Sequence, residues 1–285
     1  MFTIFKHALS RNLGTIIGWG LSLAVLGGYL ILFYDTLAEQ QAQLTELVSQ
    51  YPPELMAMFG GMEDMFTPHG YINVEFFSYM PLILGIYIVL SGSGLLVGDE
   101  ENGTLDLVLA HPVSRTCVFW GRLLSFVISV LAILLITWTG FLLAIPSTLL
   151  DISPLEMALP FLSLFALLAL FGMLALLLSL LLPSRRLAAM VSALLLVAGF
   201  FITTLARLDE NLVNLAKLSP LNYYQGGLAL LDMDWAWFCG LLGAAVVFAL
   251  LAWWRFQRRD IRLGGEGGWQ LGFWKAKVKN GNSRH

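Results

Sequence analysis

Along the chain, apolar stretches of about twenty residues alternate with shorter polar connections. Six stretches stand out, at about 13–34, 76–97, 123–145, 157–182, 187–206 and 235–254. A helix of about 20 apolar residues crosses about 30 Å of hydrocarbon. The pattern therefore predicts an all-α integral membrane protein with six transmembrane helices. Residues 1–12 mix Phe2, Ile4, Phe5 and Leu9 with Lys6, His7 and Arg11. That mixture suits a short N-terminal helix lying in the interface. The longest polar segment, 35–75, carries a helical stripe of Leu37, Leu44, Leu47 and Val48, ended by Tyr51-Pro52-Pro53. It holds Asp35, Glu39, Glu46, Glu54, Glu63, Asp64 and Glu75, with no Lys or Arg.

The second polar element, 98–115, lies between two very apolar runs. Asp99, Glu100 and Glu101 stand at its front, where carboxylates favour the positive end of a helix. Leu105, Val108 and Leu109 follow at helical spacing and share one face. Pro112 stops the helix and pushes His111 toward an extended conformation. Two readings fit: a short amphipathic helix with an apolar face for a partner, or a solvated loop joining two spans. Smaller signals also have two readings. Gly14 and Gly18 form a small-xxx-small pair, by close packing or by chance in a glycine-rich span. Ser91-Gly92-Ser93-Gly94 suits a kink or tight packing. Tyr223, Tyr224, Trp235 and Trp237 suit an interface belt.

Composition strengthens the membrane reading. Of 285 residues, 58% are hydrophobic and 12% charged, against about 25% charged in soluble domains. The net charge of −3 matters less than its distribution. With six spans both termini share a side. That side, with 98–122 and 183–186, collects fourteen of the sixteen basic residues, leaving only Arg207 and Lys217 opposite. The positive-inside rule then places both termini and the 98–115 segment in the cytoplasm. The first apolar run exceeds the roughly 7–15 residues of a signal-peptide core, although Thr36-Leu37-Ala38 has the form of a cleavage site. Beyond Gly264-Gly265-Glu266-Gly267-Gly268, the tail sets Trp269, Phe273 and Trp274 beside Lys275, Lys277 and Lys279. It reads as a flexible cytoplasmic tail, 263–285, or as one touching anionic lipid.

Several chemistries are excluded by what the spans lack. They hold almost no ionisable side chains, which argues against proton- or ion-coupled transport. His7, His69, His111 and His285 are scattered, and no HExxH or Cys/His cluster exists. Cys117 and Cys239 give no disulfide framework or metal site. Glu100-Glu101 invites comparison with an EExxxR membrane protease, but Leu105 stands where the arginine is required. No GxxxxGK[ST] loop is present to bind ATP.

The run Gly98-Asp99-Glu100-Glu101-Asn102-Gly103-Thr104-Leu105-Asp106-Leu107-Val108-Leu109-Ala110-His111-Pro112-Val113-Ser114-Arg115 resembles the signature of ABC-2 type transporter permeases. Pro52-Pro53-Glu54-Leu55, Phe59-Gly60, Pro68-His69-Gly70-Tyr71 and Phe256-Gln257-Arg258-Arg259-Asp260-Ile261 resemble that family's antibiotic and multidrug exporter branch. The resemblance covers most of residues 1–262. It implies a single six-span domain over 1–262, with an outer loop at 35–75 and a cytoplasmic coupling helix within 98–115. Glu100, Glu101, Gly103, Thr104, Leu105, Leu109, Pro112, Ser114 and Arg115 match the motif that couples to the ATPase. The resemblance also implies an ATP-driven exporter in the bacterial or archaeal inner membrane. A separate cytoplasmic ATPase subunit would bind the ATP and Mg, and a second copy or homologous permease would complete the pathway. This chain would hold no cofactor, perform no catalysis and bind no nucleic acid. By analogy Tyr79, Tyr87, Ser91, Thr203 and Thr204 line the pathway, with ordinary interhelix packing as the alternative. A non-transporting anchor, immunity or signalling component on the same scaffold is the competing function. The cargo stays open.

Overall fold

Ser, Thr and Asp residues in the polar connections start the helices. A computed structural model describes residues 1–39, 67–98, 114–150 and 152–258. Helix α1 runs Phe2–Glu39. The Thr67 hydroxyl accepts from the Gly70 amide at 3.2 Å and opens α2, Pro68–Ile72. A π-turn, Asn73–Phe77, leads to α3, Met80–Gly94. Ser114 accepts from the Cys117 amide at 3.3 Å and caps α4, Arg115–Ala144. Ser153 and Glu156 form a reciprocal capping box on α5, Pro154–Leu181. Ser184 caps α6, Arg185–Leu205. A four-residue helix α7, Val213–Ala216, precedes α8, Trp235–Arg258, whose first amides are taken by Asp234. Six of the resulting helical stretches are long and apolar enough to cross a membrane. No strand occurs among the described residues.

Helix α5 is the centre. It is apolar all round and buried along most of its length, as a helix without a polar face must be. Helices α3, α6 and α8 pack against it, and α4 joins it to α1. The closest pairing is α1 with α4. A Cβ added at Gly27 would overlap the Phe141 ring, and one at Gly140 would lie 2.6 Å from Ala24. Gly14 and Gly18, in contrast, have nothing within 4 Å. Close packing on α1 thus runs through Gly20, Gly27 and Gly28, on a different stripe from the Gly14–Gly18 pair. On α3 the packing reading of Ser91–Gly94 fits, because a Cβ at Gly92 would lie 2.5 Å from the Gly172 carbonyl of α5.

Two features differ from the pattern-based expectation. The N-terminal interfacial stretch is not a separate helix but the first turns of α1. Residues 1–12 contain neither Pro nor Gly, so nothing interrupts the helix. At 1.5 Å per residue α1 is about 57 Å long, roughly twice the hydrocarbon thickness. Its first turns therefore extend beyond the apolar layer without a break. The second stretch also begins earlier, at Pro68 instead of residue 76. The wider winding of the π-turn lets Phe76 and Phe77 both point inward, onto Phe141 and Phe161.

The helices alternate in direction, and their ends form two groups. Met1 lies beside Gly121, and the Gln257 amide donates to the Thr116 hydroxyl at 2.7 Å. Gly98 lies beside Arg185. Both chain-terminal helices, both flanks of 99–113 and the α5–α6 turn therefore share one end. Lys6, Arg11, Arg115, Arg122, Arg185, Arg186, Arg255 and Arg258 belong to it, and it is called the basic end. The opposite end holds the α4–α5 turn, the start of α2 and residues 206–234. There the Asp35 carboxylate accepts from the Leu149 amide at 2.9 Å.

Candidate functional site

Residues 207–234, the polar connection before the sixth apolar stretch, fold into short helical turns lying over the opposite end. Three contacts seat them. The Tyr224 hydroxyl donates to the Phe77 carbonyl at 3.0 Å. The Gly227 amide donates to Asn73 Oδ1 at 2.9 Å. The Gln225 amide donates to Ser163 Oγ at 3.1 Å, while its side chain exchanges two hydrogen bonds with the Asp234 backbone. Gly226 has φ +51°, a left-handed conformation that glycine adopts without cost. A Cβ at Gly227 would lie 2.5 Å from the Asn73 Cβ, so the Gly226-Gly227 pair lets the turn sit on Asn73. Desolvation raises the Tyr224 hydroxyl well above the ordinary tyrosine range, which keeps it a donor. The ring is therefore pinned to the bundle, and Tyr223 stacks edge-on against Trp237 at 5.7 Å.

Beneath this cap lies a cavity of about 580 Å³. Its walls come from the start of α3, the end of α6 and the start of α8, and include Asn73, Ser78, Asn222 and Asp232. Tyr79, Thr203 and Thr204 line it. Tyr79 is exposed, and the Thr203 hydroxyl donates back to its own helix at Gly199 and Phe200.

A second cavity, of about 640 Å³, opens at the basic end between α1, α3, α4 and the first residue of α6. Tyr87 and Ser91 line this one. They lie one turn apart on α3. The Tyr87 ring also packs on Trp19 of α1, with centroids 5.4 Å apart. The five pathway candidates thus fall into two groups. Between the groups, Leu196 of α6 packs so closely on Gly85 of α3 that an added Cβ would meet it at 2.6 Å. Apolar contact fills the middle of the bundle, and polar lining occurs at both ends.

Of the residues matched to the coupling motif, Glu100, Glu101, Gly103, Thr104, Leu105, Leu109 and Pro112 lie outside the described residues. Ser114 and Arg115 lie within them, as the cap and first residue of α4. The flanks of the segment are held by arginines. Arg122 Nη1 donates to the Leu95 carbonyl at 3.0 Å, and Arg185 Nη2 to the Leu90 carbonyl at 3.4 Å. Cations at a helix C-terminus satisfy its free carbonyls and oppose the negative end of its dipole. A Cβ at Gly94 would lie 2.7 Å from the Arg185 guanidinium. The root of the 99–113 segment is therefore fixed to α4 and α6 together.

Sequence reasoning did not find the convergence of Arg11, Arg122 and Arg185 on one cavity. Each sits at the polar edge of a different apolar stretch, and only the bundle brings them together. Nor did it find Asn73 and Gln225 as the anchors of the opposite end. The Gln225-Gly226-Gly227 run was the one available signal.

Among the described residues, an apolar six-helix bundle with a polar-lined cavity at each end has the build of a multi-pass membrane transport subunit. Over residues 3–261 the chain matches the ABC-2 family transporter protein, and it belongs to that family. It is thus a permease of an ABC transporter and not an enzyme. No curated protein matches the chain.

Proposed function

We propose that this chain is the permease half of an ATP-driven exporter, with its basic end in the cytoplasm and its 98–115 segment docking a separate ATPase subunit. One observation carries the reading: both flanks of that segment emerge at the end where the basic residues concentrate, in a chain that matches the transporter family over 3–261. Eight described cations surround that end, and only Arg207 and Lys217 belong to the other. Loops rich in Lys and Arg stay cytoplasmic. Permeases of this family work with an ATPase subunit. That subunit supplies the ATP and Mg sites.

Two permease halves and two ATPases make the working complex, in the membrane of a bacterial or archaeal cell. Among the described residues, the Leu196–Gly85 contact lies between the two cavities, which supports a pathway completed by a second half. Tyr79, Thr203 and Thr204 at one end and Tyr87 and Ser91 at the other line the route outward once the second half is in place. Ser114 and Arg115 tie the docking segment to α4, so movement of the ATPase reaches the bundle as a rigid-body displacement.

The test is capture of the ATPase by Leu105→Asp and Leu109→Asp, beside a transport or resistance assay. A charge placed against an apolar partner surface costs several kcal/mol, and each 1.4 kcal/mol is about tenfold in affinity. Capture should fall by two or more orders of magnitude while membrane insertion stays normal, since both residues lie outside the apolar stretches. Glu100→Ala should cost less, at about 0–1 kcal/mol for a surface pairing. Normal capture and normal transport in Leu105→Asp would show that the segment is only a connection between spans.

A further inference from the structure

The cavity beneath the opposite-end cap is lined by polar side chains of two kinds. Asn73, Ser78, Tyr224, Gln225 and Asp234 are committed to the fold. Asn73 holds the Gly227 amide, Ser78 the Asn73 carbonyl, Tyr224 the Phe77 carbonyl and Gln225 the Asp234 backbone. The Asp234 carboxylate takes the first amides of α8 at 2.8 and 3.2 Å. Tyr79, Thr204, Arg207, Asn222 and Asp232 line the same cavity. Among the described residues none of these five makes a side-chain hydrogen bond, and Arg207 and Asp232 form no ion pair. Both charged side chains are exposed. One cavity thus presents a cation and an anion that no described contact of the fold employs.

The apolar lining narrows the ligand further. Pro81 of α3, Phe200 of α6 and Trp237 of α8 stand among the walls. The Tyr79 and Trp237 side chains are each 41% exposed, so both rings have a face open to a ligand. Aromatic faces attract an ammonium, and a guanidinium fork matches carboxylate or phosphate oxygens. At about 580 Å³ the cavity falls in the range of small-ligand sites, about 300–1,000 Å³. We propose that it binds an apolar zwitterion, with Asp232 and the aromatic rings taking the ammonium, Arg207 the anionic group and Phe200 the apolar body. A soluble amino-acid compound and a zwitterionic phospholipid both offer that chemistry. Placing the site on the route outward rests on the proposed export function. Binding itself is read on this chain without the ATPase, whereas the export reading stands or falls on ATPase capture, so the two failures are distinguishable.

Isothermal titration of the purified full chain with phenylalanyl-phenylalanine tests it. The N-acetylated dipeptide, which lacks the ammonium, and the dipeptide amide, which lacks the carboxylate, are titrated beside it. At about pH 6.5 the free amine, with a pKa of about 7.7–8.0, is charged. Native mass spectrometry with phosphatidylethanolamine against phosphatidylglycerol tests the lipid source. Binding of the dipeptide at least about tenfold tighter than either blocked form, equivalent to about 1.4 kcal/mol, assigns the site to a soluble zwitterion. Retention of phosphatidylethanolamine about tenfold above phosphatidylglycerol, without that dipeptide preference, assigns it to lipid. In either case R207Q and D232N should each weaken binding about tenfold. For the dipeptide, R207Q should also erase the penalty of the amide, and D232N that of the acetyl form. K217Q and E210Q, at exposed charges of the same end outside the cavity, should leave binding unchanged. No preference for the zwitterion in either titration would overturn the proposal. So would equal losses in R207Q and K217Q, or undiminished binding in D232N.

Discussion

The two ends of the bundle terminate the same helices with opposite chemistry. At the opposite end most partners are neutral amides and hydroxyls, with the Asp35 carboxylate on the Leu149 amide as the charged contact. Asn73 holds the Gly227 amide, Gln225 holds Asp234 and Ser163, and Tyr224 holds the Phe77 carbonyl. At the basic end, arginines lie on the last carbonyls of α3. A neutral amide network works at one geometry and is costly when half-made. A guanidinium keeps its charge whatever it touches. The opposite end is thus held mainly by geometry, and the basic end by charge on helix carbonyls.

Substitutions can break that contrast. The largest effect should come from neither end but from the seam that aligns them. Gly140→Leu would drive a side chain into Ala24 of α1. Overpacking costs about 1–3 kcal/mol and occasionally more, and here backbone stands in the way, so loss of folded protein in detergent is expected. Size-exclusion profiles and thermal melts read it, and a wild-type melt would mean that α1 and α4 do not pack this closely. Next comes Asn73→Ala, which strands the Gly227 amide at a cost of about 1–3 kcal/mol. Thermal stability and amide-exchange protection of 220–230 should fall while ATPase capture stays near wild type. Equal loss of capture would show that the two ends are not separable. Ser153→Ala removes one half of a capping box and should cost about 1 kcal/mol, read as a lowered melting temperature. The smallest change is Gln257→Ala, an exposed contact with Thr116, expected within about 0.5 kcal/mol of wild type.

These expectations rest unevenly on the sequence. The six helices were legible because uninterrupted apolar runs of that length have few other uses. The pattern did not single out the caps, although Ser114, Ser153 and Ser184 stand just before their helices. The start of the second stretch was not legible either, because Asn73 and Glu75 read as the end of the polar loop. In the structure Ser78 bonds the Asn73 carbonyl and the Asn73 side chain serves a distant amide, so the polar groups of Asn73 are satisfied within the bundle. The Gly14–Gly18 spacing matched a packing motif, yet only three-dimensional facing distinguishes it from Gly27 opposite Phe141. At the site, Tyr79 and Tyr87 shared one apolar stretch in the pattern, and nothing local showed that Leu196 on Gly85 would divide them. Seven of the nine coupling-motif residues lie outside the described residues, and their role rests on family membership and on where Gly98 and Ser114 emerge.

The claim beneath all of this is that the two ends face opposite sides of the membrane, basic end inward. Single cysteines test it in intact cells, in a background with Cys117 and Cys239 replaced by Ser. Leu218→Cys reports the opposite end, where the native side chain is 80% exposed. Position 225, on the same connection, is unsuited because Gln225 is buried. Arg186→Cys, exposed at the start of α6, and Thr104→Cys report the basic end. A membrane-impermeant maleimide should label Leu218→Cys in intact cells. The other two should label only after the membrane is opened. Labelling of Thr104→Cys or Arg186→Cys in intact cells, with Leu218→Cys protected, would contradict the account.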